Sequence, residues 1–255
     1  AIRLCASLVF VSLNATAGPA NAPLLISGFD DVLRQAENQS LWRAGLKLFS
    51  EDETFAGMPE LYAELTRAYG GEGFSLVSAT SSIFRSRIGK FLAESGFPPS
   101  DLYLRNWTTQ WSVENFKVGS IRTILGSDST RRFTVIFDNS PPSLEMAKSI
   151  PDTFPGSVQA IYLHEIVERP LPAGATYYLT AFDIALAELK AGRLPESSAR
   201  RIGQAIIGES RPERIIPKYA YCPGDYDPCT ASSLETLREV CAKVREKIAG
   251  ICRVR

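Results

Sequence analysis

An excess of charge of one sign, a second histidine, closely spaced cysteine pairs, an internal repeat and an apolar run long enough for a bilayer are all missing from this 255-residue chain. Lys plus Arg and Asp plus Glu are equal at 28 each, so no broad field directs it to nucleic acid or an anionic membrane. The longest N-terminal apolar run, Leu4 to Leu13, falls short of the roughly 20 residues a spanning helix needs. Without CxxC pairs the cysteine spacing favours disulfides over buried free thiols or a metal. The one histidine, His164, closes an apolar strand and reads as a satisfied structural side chain rather than a titrating one.

What is present at the N-terminus reads as a leader over residues 1–22. Arg3 precedes the apolar run, and "NATAGPANA" offers small-x-small cleavage patterns ending at Ala17 or Ala22. The other reading is a buried first strand or helix. Export, to a secreted or periplasmic location, suits the cysteines. Cys5 would leave with the leader, and Cys222, Cys229, Cys241 and Cys252 form an even set at the C-terminal end. If residues 233–250 are helical, Cys241 and Cys252 lie about 16 Å apart, beyond disulfide reach. Pairing Cys222 with Cys229 would strand both, so two bridges from the "CPGDYDPC" loop to the last helix are expected.

With 45% hydrophobic residues the chain can bury one main core. Short apolar stretches at 23–29, 73–80, 101–105, 132–138 and 157–163, rich in Val, Ile, Phe and Tyr, read as buried strands. Between them, segments from Pro59, Ser81, Ser112 and Pro141 carry helical spacing, with Ser81, Ser112 and Ser140 as caps or near-caps. Such alternation predicts an α/β fold, a mostly parallel sheet with helices on both faces. After about Val167, "TYYLTAFDIALAELKAGRL" and "ESSARRIGQAIIGES" read as two amphipathic helices, followed by a Pro- and Tyr-rich stretch and a final helix from Ser233 to about Gly250. Residues 168–255 are thus expected to form a helical extension packed on the sheet domain.

Ligands of open parallel sheets bind beyond the carboxyl ends of the strands. The polar residues there are Asp30 and Asp31, then Ser78 and Thr80, then Asp138, Asn139 and Ser140, with Lys117 on the helix leading into the fourth strand. Trp107 and Trp111 follow the third strand, either roofing a pocket or, as the preferred reading, packing.

In this order the residues resemble the haloacid dehalogenase superfamily, and most nearly the catalytic domain of the actin-patch-type phosphatidate phosphatases. Those domains read SDIDDT, GM-x-x-LY, VS-x-S, GFP, a helix beginning with Lys, and GDSG-x-x-D-x-E. Here the same places hold "SGFDDV" (27–32), "GMPELY" (57–62), "VSATS" (77–81), "GFPPSDLYLR" (96–105), "FKVGSI" (116–121) and "FDNSPPSLE" (137–145). The resemblance covers residues 23–167 and implies a haloacid-dehalogenase-like Rossmannoid sheet.

In such proteins the first Asp attacks phosphorus, the second is general acid and base, a hydroxyl and a Lys hold phosphate oxygens, and carboxylates bind Mg²⁺. By position Asp30 matches the acid/base, Asp31 the variable acid after it and a candidate metal carboxylate, Ser78 and Lys117 the phosphate-binding pair, and Asp138 a metal carboxylate. Gly28 stands where the nucleophile belongs. Val32, Phe137, Asn139, Ser140 and Ser143 replace the motif Thr, Gly, Ser, Gly and Asp. The resemblance therefore implies a catalytically impaired relative that keeps a phosphate-sized pocket and binds Mg²⁺ weakly. Its partner would be a phosphate-bearing small molecule or a lipid headgroup, without nucleic acid. An active Mg²⁺-dependent phosphohydrolase using an unconventional nucleophile, and a non-catalytic interaction module, are the alternatives.

Overall fold

In the computed structural model residues 23–36, 54–71, 73–126, 131–229 and 235–254 are described; the leader reading of 1–22 lies outside them. Six strands, β1 (Leu24–Ser27), β2 (Phe74–Ser81), β3 (Ser100–Arg105), β4 (Phe133–Asp138), β5 (Val158–His164) and β6 (Ala175–Tyr178), form one sheet in the order β3-β2-β1-β4-β5-β6. Every neighbouring pair is parallel. Strand order reverses between β1 and β4, which places the carboxyl ends of those two strands at the switch point where such sheets receive ligands.

The central strands are apolar on both faces, as full burial in a parallel sheet requires. One face packs Ile26, Val77, Val135 and Phe137 under α3 (Val113–Leu125) and α4 (Pro141–Thr153). The other packs Leu25, Leu76, Ile136 and Tyr162 under α1 (Met58–Ala68), α2 (Arg85–Glu94), α5 (Ala181–Lys190), α6 (Glu196–Gly208) and α7 (Arg238–Arg253). Each fully buried Leu, Ile or Phe contributes about 1.5–3 kcal/mol. Ser112 caps α3 as expected, its side chain accepting from Asn115 N at 3.1 Å. Ser81 makes no side-chain cap bond; a 3-10 turn, Ser82–Phe84, leads into α2 instead.

Two local contacts seat α1, one against α5 and α6 and one against the sheet. Gly57, before the helix, has φ 77°, and a Cβ there would meet Ile206 Cδ1 at 3.1 Å and Ala181 Cβ at 3.2 Å, so only glycine lets α5 and α6 close on this turn. Tyr62 Oη lies 2.6 Å from Ser27 Oγ, hydrogen-bonding the helix to the end of β1.

The segment expected as one helix over 176–194 divides. Its first part is strand β6, paired with β5 from Ala175 to Tyr178, and the helix starts only at Ala181. The sequence signal was present: Thr180 and Asp183 form a reciprocal capping box, which marks a helix start in the middle of the segment. The C-terminal extension therefore supplies an edge strand as well as helices. Deep beneath it, Glu188, with no exposed surface, receives Tyr69 Oη at 2.9 Å, Tyr162 Oη at 2.6 Å and both Arg193 Nε and Nη2, at 2.7 and 2.6 Å. The buried charge is fully paired, and it fastens α5 to α1 and β5.

The cysteines pair as expected between loop and helix: Cys222 with Cys252 and Cys229 with Cys241, at Cα separations of 5.5 and 5.9 Å. The last helix begins at Arg238, preceded by a 3-10 turn from Glu235; Ser233 lies outside the described residues.

Candidate functional site

β1 ends at Ser27, and the chain turns at once through Gly28, Phe29, Asp30 and Asp31. Gly28 N donates to Ile136 O at 2.8 Å, so the ladder to β4 continues through position 28 and its Cα direction is set by the sheet. A Cβ added there would lie 3.0 Å from Phe137 Cδ1 and 3.0 Å from Val32 Cγ2. Both are wholly buried, so a side chain on residue 28 would need Phe137 and Val32, which stand where the family motif has Gly and Thr, to give way by a few tenths of an ångström.

Asp30 is the more open of the two adjacent acids, and its oxygens are occupied. Arg34 donates to Oδ1 from Nε at 3.2 Å and from Nη2 at 2.7 Å, while Thr80 Oγ1 donates to Oδ2 at 2.7 Å. Thr80, at the end of β2, was among the strand-end candidates; Arg34 was not, and its spacing four residues after Asp30 in an irregular turn offered no signal. Ser78 is buried beside them, its Oγ accepting from Thr80 N at 3.1 Å.

Asp31 takes the left-handed conformation, φ 55°, uncommon for a residue with a side chain. Its N–H donates to Arg34 O at 2.7 Å, and three contacts hold its side chain and carbonyl. Tyr219 Oη donates to Oδ1 at 2.5 Å, Ala36 N donates to the same oxygen at 2.9 Å, and the backbone carbonyl receives His164 Nδ1 at 2.7 Å. Burial pushes the carboxyl up to about 6, against the bonds from Tyr219 and Ala36; the negative charges of Asp138 and Asp30 add to the rise. Tyr219 is nearly 190 residues away in the chain, and nothing in the sequence pattern pointed to it.

Lys117 and Asp138 meet on the α3 and α4 side. Lys117 Nζ donates to Ser143 Oγ at 2.7 Å, Ser143 Oγ donates to Asp138 Oδ1, and Nζ stands 3.9 Å from that same oxygen. The ammonium also lies 4.7 Å above the Phe137 ring. Burial lowers the Lys117 pKa, while Asp138 and Asp30 oppose the shift. Serine at 143 thus bridges lysine to aspartate.

Asn139 serves as a hook: its Oδ1 accepts from Ile166 N at 3.1 Å and Val167 N at 3.3 Å, and its Nδ2 donates to Val167 O at 2.5 Å. His164 is buried, stacked on Tyr178 with centroids 4.8 Å apart, and its Nε2 lies 3.2 Å from Leu179 O. Burial lowers its pKa, against the carbonyls of Asp31 and Leu179, and the ring stands between those two segments as a strut. Trp107 and Trp111 overturn the packing expectation: they are 55% and 83% exposed.

The cluster thus brings Asp30, Asp31, Asp138 and Lys117 into electrostatic reach of one another, with Ser78 alongside. It is poorly arranged for Mg²⁺, which needs several oxygen ligands in near-octahedral geometry. Asp30 is held by Arg34 and Thr80, Asp31 by Tyr219 and Ala36, and Asp138 by Ser143. Among the described residues no three of His, Cys, Asp and Glu are grouped to hold a metal ion.

A family model described as the catalytic domain of the phosphatidate phosphatase APP1 matches residues 24–165. No curated protein and no solved structure matches the chain.

Proposed function

Because the chain belongs to the phosphatidate phosphatase APP1 catalytic-domain family, we propose that it is an exported member that has lost covalent phosphoryl transfer and keeps a cationic seat for a phosphate headgroup. One observation carries the reading: position 28 has no nucleophile, and a Cβ there would already crowd Phe137 and Val32. Without the attacking oxygen neither formation nor breakdown of an acyl phosphate can occur there. Asp30, bonded to Arg34 and Thr80, then holds the turn after β1 instead of moving protons.

The seat is Lys117, with Ser78 at the end of β2 as the hydroxyl the family resemblance pairs with it. Lys117 Nζ donates to Ser143 Oγ and faces Asp138 Oδ1 at 3.9 Å, so a phosphate oxygen reaching the switch point of the sheet would take a remaining N–H in competition with that aspartate. A native-state ligand raises the melting temperature by mass action. The purified protein should show phosphate-dependent thermal stabilisation that Lys117→Met removes, and no Mg²⁺-dependent turnover of phosphatidate or of a soluble phosphomonoester. Turnover abolished by Asp30→Ala would overturn the reading. The two disulfides, which need an oxidising compartment to form and persist, support export.

A further inference from the structure

Among the described residues five large apolar side chains are exposed, and three of them, Ile83, Trp107 and Trp111, at 79%, 55% and 83%, stand on the loops that leave β2 and β3. These loops form the same carboxyl rim of the sheet that carries the candidate site. Trp107 Nε1 donates to Ala79 O at 2.8 Å, and the next residue, Thr80, donates its hydroxyl to Asp30. Trp111 is drawn to the rim by Arg105, whose Nε donates to Gln110 O at 2.7 Å and whose Nη2 reaches Trp111 O at 3.4 Å. Arg85 and Trp111 line one cleft of about 830 Å³ between β3 and α3. The apolar side chains are thus held on one side of the fold by backbone-directed bonds.

We propose that this rim is a docking surface for an anionic phospholipid bilayer. Tryptophan is the side chain of the membrane interface: its ring is apolar and its N–H is satisfied at headgroup depth. The charges around it are mainly basic. Over residues 82–114 Arg85, Arg87, Lys90 and Arg105 outnumber Glu94, Asp101 and Glu114, and Asp101 lies at the start of β3, away from the rim. Lys90 is paired with Glu94 at 3.5 Å, whereas Arg85 donates to Leu102 O at 2.9 Å and Arg105 to the Gln110 and Trp111 carbonyls, bonds that hold the guanidinium groups at the rim without neutralising their charge. The chain as a whole has zero net charge, so the attraction arises from this local arrangement and acts within about one Debye length. A water-soluble ligand would give no reason to expose two tryptophans and an isoleucine beside the site, whereas a bilayer inserts them and brings its headgroups to the strand ends. The docking does not depend on whether position 28 supports chemistry.

The test is co-sedimentation of the full chain with vesicles of phosphatidylcholine alone and of equimolar phosphatidylcholine and phosphatidylglycerol. Neither contains phosphatidate, and excess inorganic phosphate present throughout occupies any seat at Lys117, so the result is separate from binding there. Binding is expected to the anionic vesicles, with a blue shift of tryptophan emission and loss at high salt. Trp107→Ala with Trp111→Ala should weaken it by about tenfold or more. Ile83→Ala with Trp111→Ala, which leaves the Trp107 bond to Ala79 intact, should weaken it without lowering the melting temperature. Arg85→Glu with Arg87→Glu should cost about fivefold or more per arginine. The proposal is overturned if the parent does not bind anionic vesicles, if the folded variants bind as well as the parent, or if sedimentation velocity shows this face joining two copies of the chain.

Discussion

Phe137 Cδ1 lies 3.0 Å from the point where a Cβ on Gly28 would stand, close to the limit of contact, and Val32 Cγ2, from the same turn after β1, presses on that point too. The loss of the aspartate and the gain of the phenylalanine are two sides of one packing arrangement. Restoring Asp at 28 together with Thr at 32 and Asp at 143, the combination the motif comparison suggests, leaves Phe137 in the way.

Gly28→Asp by itself should therefore lower stability by about 3 kcal/mol or more, since it overpacks a closed site and buries a carboxyl group. Phe137→Ala should cost about 3–5 kcal/mol through the cavity it leaves. Combined, they should cost at least about 1 kcal/mol less than the sum of the singles, because each relieves the defect made by the other. Urea denaturation of the four proteins measures the coupling; strict additivity would show that the two side chains do not compete for space.

Asp31 should make the protein less stable as the solution is brought from acid to neutral. Its carboxyl titrates near 6 when folded and near 3.8 when unfolded, so between those values the folded state holds the proton that the unfolded state has released. Stability from this group is fully present below about pH 4, falls as pH rises, and is lower by up to about 3 kcal/mol above the folded value. Asp31→Asn keeps an acceptor for Tyr219 and Ala36 and suits the left-handed backbone. It should raise the melting temperature at pH 7 and leave it unchanged near pH 4. Equal effects at both pH values would refute this origin.

The bridges close loops of different length, with sequence separations of 30 for Cys222–Cys252 and 12 for Cys229–Cys241. Chain entropy predicts a loss of about 3.6 kcal/mol when the longer is removed as a Cys→Ala pair and about 2.8 kcal/mol for the shorter. Guanidinium denaturation of the two variants checks the order as well as the size.

Much of the fold was legible because its signals are local. The apolar runs at 23–29 and 132–138, the helical spacing from Pro59 and the capping serine at 112 all depend on residues a few positions apart, and the α/β alternation follows from them. The exception was 176–194. "TYYL" has the residue types of a strand, but an edge strand is defined by its partner, and β5 supplies it.

The sequence by itself determined which residues arrive at the carboxyl rim, since a two-residue period and a strand end place Asp30, Ser78 and Asp138 there whatever surrounds them. It also determined that residue 28 has no nucleophile, and that the two helix cysteines cannot pair with each other. Only the tertiary structure decided what those residues do. It filled the space beside Gly28 with Phe137, turned Asp31 toward Tyr219, made Ser143 a bridge from Lys117 to Asp138, and left Trp107 and Trp111 in solvent. The physical reason is range: backbone period and side-chain type act over neighbouring residues, whereas free space, burial and hydrogen-bond partners are set by segments that meet only when the chain has folded.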